Sequence, residues 1–267
     1  MSIRRGFKID LSERFPHLAG APIVEAVIHW RGRSEKELPR EEWLEQLKVK
    51  LPDYPIVQPQ QELQLEAQLG PDGAAQAQRT RWLGFRLESA DRRYIAQFTR
   101  NGFVFSRVAP YENWDSFAAE AKRLWKIHLE LAGPAEIERL GVRFINRIVP
   151  VELDKLHEIL MQPPESPAAL GLPIGEFLHR NLLSVPGYPY RVNAIQTSQP
   201  PVPPETDAIG LILDIDVFTT QTTELNAAVV DHQLAEMRWL KNKAFFSLLT
   251  KKTIERFEET GTCPKPS

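Results

Sequence analysis

Arg139, Arg143 and Arg147 recur at every fourth residue of Arg139-Leu-Gly-Val-Arg-Phe-Ile-Asn-Arg147. The stretch Glu138 to Val149 alternates as a β-strand does, so the three guanidiniums share one face. Asp214 and Asp216 stand two apart in Ile209 to Phe218 and share a face of a second strand. In Ile23 to Arg31, Glu25 and His29 project opposite Val24, Ala26, Ile28 and Trp30. If helices cover the apolar side of these strands, the polar residues gather on the other side. Forked arginines on such a face suit an anionic or polar ligand. The same residues also suit cross-strand ion pairs on a solvated surface, each contributing about 0.2 to 1 kcal/mol. A further alternative is a magnesium site, because two carboxylates on one strand face match that ion's preference for oxygen ligands. No Gly-Ser phosphate-binding turn precedes the pair.

Other catalytic signatures are poor. Glu62, Gln64, Glu66 and Gln68 form a same-face row like that of tunnel triphosphatases, without the lysine that would complete it. His17, His29, His128, His157, His179 and His232 are scattered, with no paired metal-ligand spacing. Gly-x-Ser-x-Gly, P-loop and dinucleotide fingerprints are missing from the sequence. The lone Cys263 sits in a Gly/Thr/Pro-rich tail with no positioned base, which excludes an internal disulfide and a cysteine metal cluster and fits a reducing cytoplasm.

The elements that must hold these residues come in a rhythm that repeats. After the first strand, Leu38 to Leu47 reads as a helix, with a proline and acids at its start. Strands follow at Glu62 to Leu69, Arg81 to Glu88, Tyr94 to Arg100 and Phe103 to Val108, the last two joined by Asn101-Gly102, a strong hairpin signal. A helix capped at Asn113 carries Trp114, Phe117, Leu124, Trp125 and His128 and stops at Gly133-Pro134. The second round has the arginine strand, a helix at Val151 to Leu160 and a small helix near Ile174 to Leu183. Strands at Tyr190 to Ser198 and Ile209 to Phe218 flank the stiff Gln199-Pro-Pro-Val-Pro-Pro204, and a long closing helix follows. The expected fold is α+β: a pseudo-duplicated, curved antiparallel sheet backed by helices, in the element order of the TATA-binding-protein saddle. Its halves are expected at 1–134 and 135–267, within one unit.

The 267 residues, 42% hydrophobic and 25% charged, are those of a globular protein, and a net charge of -2 gives no bulk attraction to nucleic acid or anionic membrane. The N-terminal Met-Ser-Ile-Arg-Arg-Gly-Phe-Lys lacks the apolar run of a signal peptide, and no uncharged run reaches the roughly 18 residues that a membrane span requires. A cytoplasmic protein is expected.

Four segments carry a resemblance: Ala21-Pro-Ile-Val-Glu-Ala-Val, Tyr111-Glu-Asn-Trp-Asp-Ser-Phe117, Arg139 to Arg147, and Lys243-Ala-Phe-Phe-Ser-Leu-Leu-Thr250. Over roughly residues 18 to 258, the order and spacing of these segments resemble a sporadically distributed family of uncharacterised prokaryotic proteins. The resemblance implies no catalytic residues. It implies an accessory gene, of the kind found in mobile or defence-related loci. The expected function is therefore non-enzymatic binding of a protein partner or a small anionic ligand, as a sensor or antitoxin-like component. The binding set would be Glu25, His29, Arg139, Arg143, Arg147, Asp214 and Asp216, or the hydrophobic edges around Trp114 and Trp239. No cofactor is expected and a homodimer stays open. The alternatives are a magnesium-dependent enzyme acting on nucleotides or polyphosphates through Asp214 and Asp216, and a sheet face that binds single-stranded nucleic acid. The acidic balance and the few aromatics on the polar face weigh against the latter.

Overall fold

The computed structural model describes residues 6–36, 39–70, 73–167, 169–202 and 208–259, with backbone only for the stretch between 63 and 79. Cys263, part of the 199–204 linker, and the side chains of Gln64, Glu66 and Gln68 lie outside the described residues. The fold is α+β. Strand β1, Ile23–Arg31, leads to helix α1, Arg40–Lys50, with Glu41 and Glu42 at its positive end and Lys48 and Lys50 at its negative end. Strands β2 (Ile56–Gly70) and β3 (Gly73–Glu88) form a long hairpin, and β4 (Tyr94–Thr99) and β5 (Gly102–Val108) continue the meander. Helix α2, Trp114–Ala132, begins where Asn113 Oδ1 accepts from Ser116 N at 2.9 Å, and ends at Gly133, whose φ is 53°. Strand β6, Arg139–Ile148, is followed by a short 3-10 turn, the single-turn α3 (Leu156–Ile159), β7 (Leu178–Ser184), β8 (Tyr190–Gln199), β9 (Gly210–Thr219), α4 (Ala227–Leu248) and α5 (Lys251–Glu259). The strands form one antiparallel sheet of nine, in the order β2-β3-β4-β5-β1-β6-β9-β8-β7.

Four expectations give way. The helix expected near Ile174 to Leu183 is instead strand β7, paired from Leu178↔Thr197 to Ser184↔Arg191, so cross-strand pairing overrides an apolar pattern that fits either element. His179 is accordingly a strand residue. The Val151 to Leu160 helix shrinks to a 3-10 turn and one α turn. The closing helix breaks at Leu249, which is extended and bridges to Leu160, and Thr250 then caps the new start, Thr253 N lying 3.3 Å from its Oγ1. Strand β2 also begins earlier than Glu62. Pro59 is tolerated inside it because β2 lies at the end of the sheet, where a missing donor leaves no ladder bond unmade.

Two compact units divide the chain: Met1–Ile28, Val108–Glu112 and Arg139–Ser267 form the larger, His29–Arg107 and Asn113–Glu138 the smaller. In the smaller unit, α1 and α2 bury Trp43, Leu47, Phe117, Leu124 and Trp125 with the inward row Phe85, Leu87, Ala96, Phe98, Phe103 and Phe105. Trp30 stacks on Trp125 at 5.3 Å and Phe105 on Phe117 at 5.4 Å. Gly84 is required there, since a Cβ would sit 2.0 Å from the Phe98 carbonyl oxygen.

In the larger unit, α4 packs on β6, β8 and β9, where Val142, Phe144, Leu211, Leu213, Ile215 and Val217 are buried. The opposite side of α4 is apolar too, and the irregular segment ahead of β1 covers it. Phe7 meets Trp239 edge-on at 6.0 Å and Phe15 stacks on Phe246 at 5.4 Å. Glu13 accepts from Trp239 Nε1 at 3.0 Å and from Lys243 Nζ at 2.6 Å. Trp239, expected as a hydrophobic edge, is thus buried. Glu13→Ala is expected to cost about 1 to 2 kcal/mol, by leaving the buried indole donor unmatched, and Glu13→Gln only a few tenths. The urea midpoints of the two variants check this.

Candidate functional site: a paired arginine–aspartate sheet face

Alternation sends Val142, Phe144 and Ile148 of β6 and Leu213, Ile215 and Val217 of β9 toward α4. Arg139, Arg143, Ile145 and Arg147, with Ile212, Asp214, Asp216 and Phe218, therefore take the other face. The register sets Arg143 opposite Asp216, Ile145 opposite Asp214 and Arg147 opposite Ile212. On the next strand, Asn193 faces Asp216 and Ile195 faces Asp214.

The ionic contacts run diagonally. Arg143 grips Asp214 with two parallel bonds, Nε to Oδ1 at 2.8 Å and Nη2 to Oδ2 at 2.6 Å. Arg139 donates from Nη2 to Asp216 Oδ2 at 2.9 Å and lays its guanidinium 4.1 Å from the Phe218 ring centroid. Asp214 is buried, its side chain 9% exposed against 45% for Arg143. The hydrogen bond to Asp214 raises the Arg143 pKa above its usual value, burial opposes this, and Asp216 and Glu25 add to the rise. Burial pushes the Asp216 carboxyl up, against the pull of Arg139. Its Oδ1 is buried without a hydrogen-bond partner among the described residues.

Of the expected set, Arg139, Arg143, Arg147, Asp214 and Asp216 come together on this face, and Glu25 is near enough to act on Arg143. His29 groups with the smaller unit. Magnesium does not fit the aspartates as they stand. Both Asp214 oxygens and Asp216 Oδ2 already accept from guanidinium N–H groups, and two positive side chains occupy the space a dication would need. Among the described residues no three His, Cys, Asp or Glu side chains cluster as metal ligands do. A cavity of about 290 Å³ lies elsewhere, in the smaller unit, lined by Arg33, Ser34, Glu35, Ala135, Glu136 and Glu138. No regular spacing in the sequence links its two segments. No protein-family model matches the chain, and no curated protein is detected as its relative.

Proposed function

We propose that this is a non-enzymatic binding protein of the cytoplasm that docks a protein partner on the open face of β6, β9 and β8. The observation that carries the reading is the internal pairing of that face. The Arg143–Asp214 and Arg139–Asp216 contacts leave a pre-ordered surface on which both aspartates are matched, with half-buried Ile145, Ile195 and Ile212 set between the charges. Such a surface suits a complementary protein better than a free polyanion, because Arg139 and Arg143 are already engaged. Phe218, a candidate platform for a nucleic-acid base, carries the Arg139 guanidinium instead. An accessory role in a mobile or defence-related prokaryotic locus, as a sensor or antitoxin-like component, follows from the resemblance of sequence alone. No helix among the described residues is long and apolar enough to cross a membrane.

The reading is tested in two arms. A photo-crosslinking residue at Ile212 captures the partner in cells, and Ile145→Glu in the same chain abolishes the capture. In parallel, thermal-shift titration with nucleotides, polyphosphates and magnesium compares the natural chain with Asp214→Asn/Asp216→Asn. A metal-dependent stabilisation lost in that variant would overturn the reading in favour of a nucleotide or polyphosphate enzyme.

A further inference from the structure

Strand β7 ends the sheet, and its register with β8 decides which of its backbone groups are used. Phe177 O accepts from Ser198 N at 3.2 Å and Val185 N donates to Tyr190 O at 3.1 Å, so odd-numbered residues bond to β8. The N–H and C=O groups of Leu178, Arg180, Leu182 and Ser184 consequently point away from the sheet. Their side chains lie on the open face, above Thr197, Ile195, Asn193 and Arg191. Leu178 is 72% exposed, Leu182 47%, and Leu183 on the helix side 54%. An outer strand with three exposed leucines and a row of donors and acceptors unused among the described residues lacks most of the devices by which edges are protected.

Charge identifies what it takes. β7 and β8, Leu-His-Arg-Asn-Leu-Leu-Ser and Tyr-Arg-Val-Asn-Ala-Ile-Gln-Thr-Ser-Gln, contain Arg180 and Arg191 and no Asp or Glu. Arg180 is exposed, and its Nε donates to the neutral Asn193 Oδ1 at 2.7 Å. The outermost rows thus present positive charge between two leucines. A second β7 fits poorly. In the best-overlapping antiparallel registers, Arg180 lies opposite or diagonal to its own copy, or Leu178 meets Pro186, which has no N–H to give.

Building on the partner-binding reading, we infer that β7 is a β-augmentation edge for an extended peptide segment of apolar-x-acidic-x-apolar pattern. The carboxylate of that segment pairs with Arg180, and its apolar residues cover Leu178 and Leu182. The peptide's main chain completes the ladder of Leu178, Arg180, Leu182 and Ser184.

The test is fluorescence anisotropy with a fluorescein-labelled nonapeptide, Ser-Val-Thr-Glu-Thr-Val-Thr-Glu-Ser, and the intact protein. Saturable binding is expected, weakened about tenfold or more by Arg180→Glu and lost with Leu182→Pro, which removes an outward N–H and no bond to β8. Because a proline variant can misfold, the same peptide N-methylated at alternate residues supplies an independent loss of ladder donors and is also expected not to bind. Equal binding of a peptide with lysine in place of glutamate, indifference to N-methylation, or no binding at all overturns the inference. A concentration-dependent dimer in sedimentation that Leu182→Pro abolishes overturns it too, giving the edge to a second copy. Failure here with capture at Ile212 intact removes the edge and leaves the face reading standing. Peptide binding with no capture at Ile212 does the reverse.

Discussion

Arg143→Ala is expected to lower the unfolding free energy by about 2 to 3 kcal/mol. Breaking a buried ion pair by removing one partner costs about 3 to 5 kcal/mol, because the remaining charge stays desolvated and unpaired. Here the abandoned partner is the buried Asp214, while Arg143 itself is 45% exposed, and solvent screening on that side brings the cost below that range. The cost should depend on what remains and not on the salt bridge as such. Arg143→Leu/Asp214→Leu, with no charge left to strand, is expected to recover most of the loss and to unfold within about 1 kcal/mol of the natural chain. Urea denaturation of Arg143→Ala, and of Arg143→Leu, Asp214→Leu and their double variant read as a double-mutant cycle, measures this directly. If Arg143→Ala unfolds as the natural chain does, Asp214 is solvated and the rigid paired face does not exist.

What could be read in the sequence, and what could not, follows the distance along the chain over which each feature is decided. The alternation of β1, the Asn101-Gly102 turn and the Asn113 and Gly133 ends of α2 are local, and the structure has them where the pattern put them. That Arg139, Arg143 and Arg147 share a face with each other, and Asp214 with Asp216, is local as well. Which arginine holds which aspartate is not, because β6 and β9 are joined across some seventy residues and the contacts run diagonal to the register. β7 was obscured because Leu182-Leu183 and its flanks satisfy a helical and an extended reading equally, and only Thr197, Ile195 and Asn193 on β8 decide between them. The segment before β1 has no period at all. Phe7, Glu13 and Phe15 gain their meaning from Trp239, Lys243 and Phe246, more than two hundred residues later. This also explains why α4 reads as apolar on more than one side.

His128 brings a non-local feature to a second measurable consequence. It sits on α2 with no exposed surface, boxed by rings from four elements: Trp43 of α1 at 6.2 Å, Phe98 of β4 at 6.1 Å, Phe103 of β5 at 6.0 Å and Trp125 of its own helix at 5.2 Å. Neither ring nitrogen has a hydrogen-bond partner among the described residues. Burial alone holds its pKa down to about 3, against 6.5 for an exposed histidine. The unfolded chain therefore takes up a proton first as the pH falls. The stability that goes with a neutral His128 is fully present above about pH 6.5 and drains away as the pH drops toward 3. At pH 5 the loss is about 2 kcal/mol, from the linkage of a 6.5 unfolded value. His128→Phe keeps the ring and has no proton to bind. The difference in its unfolding free energy between pH 7 and pH 5 is expected to be smaller than that of the natural chain by about 2 kcal/mol. At pH 7 the two unmatched nitrogens it removes are offset by the extra volume it must fit, so the change with pH is the quantity to compare. An unchanged pH dependence in urea denaturation would mean that the imidazole is protonated or wet in the native protein, and the aromatic box would then be open to water.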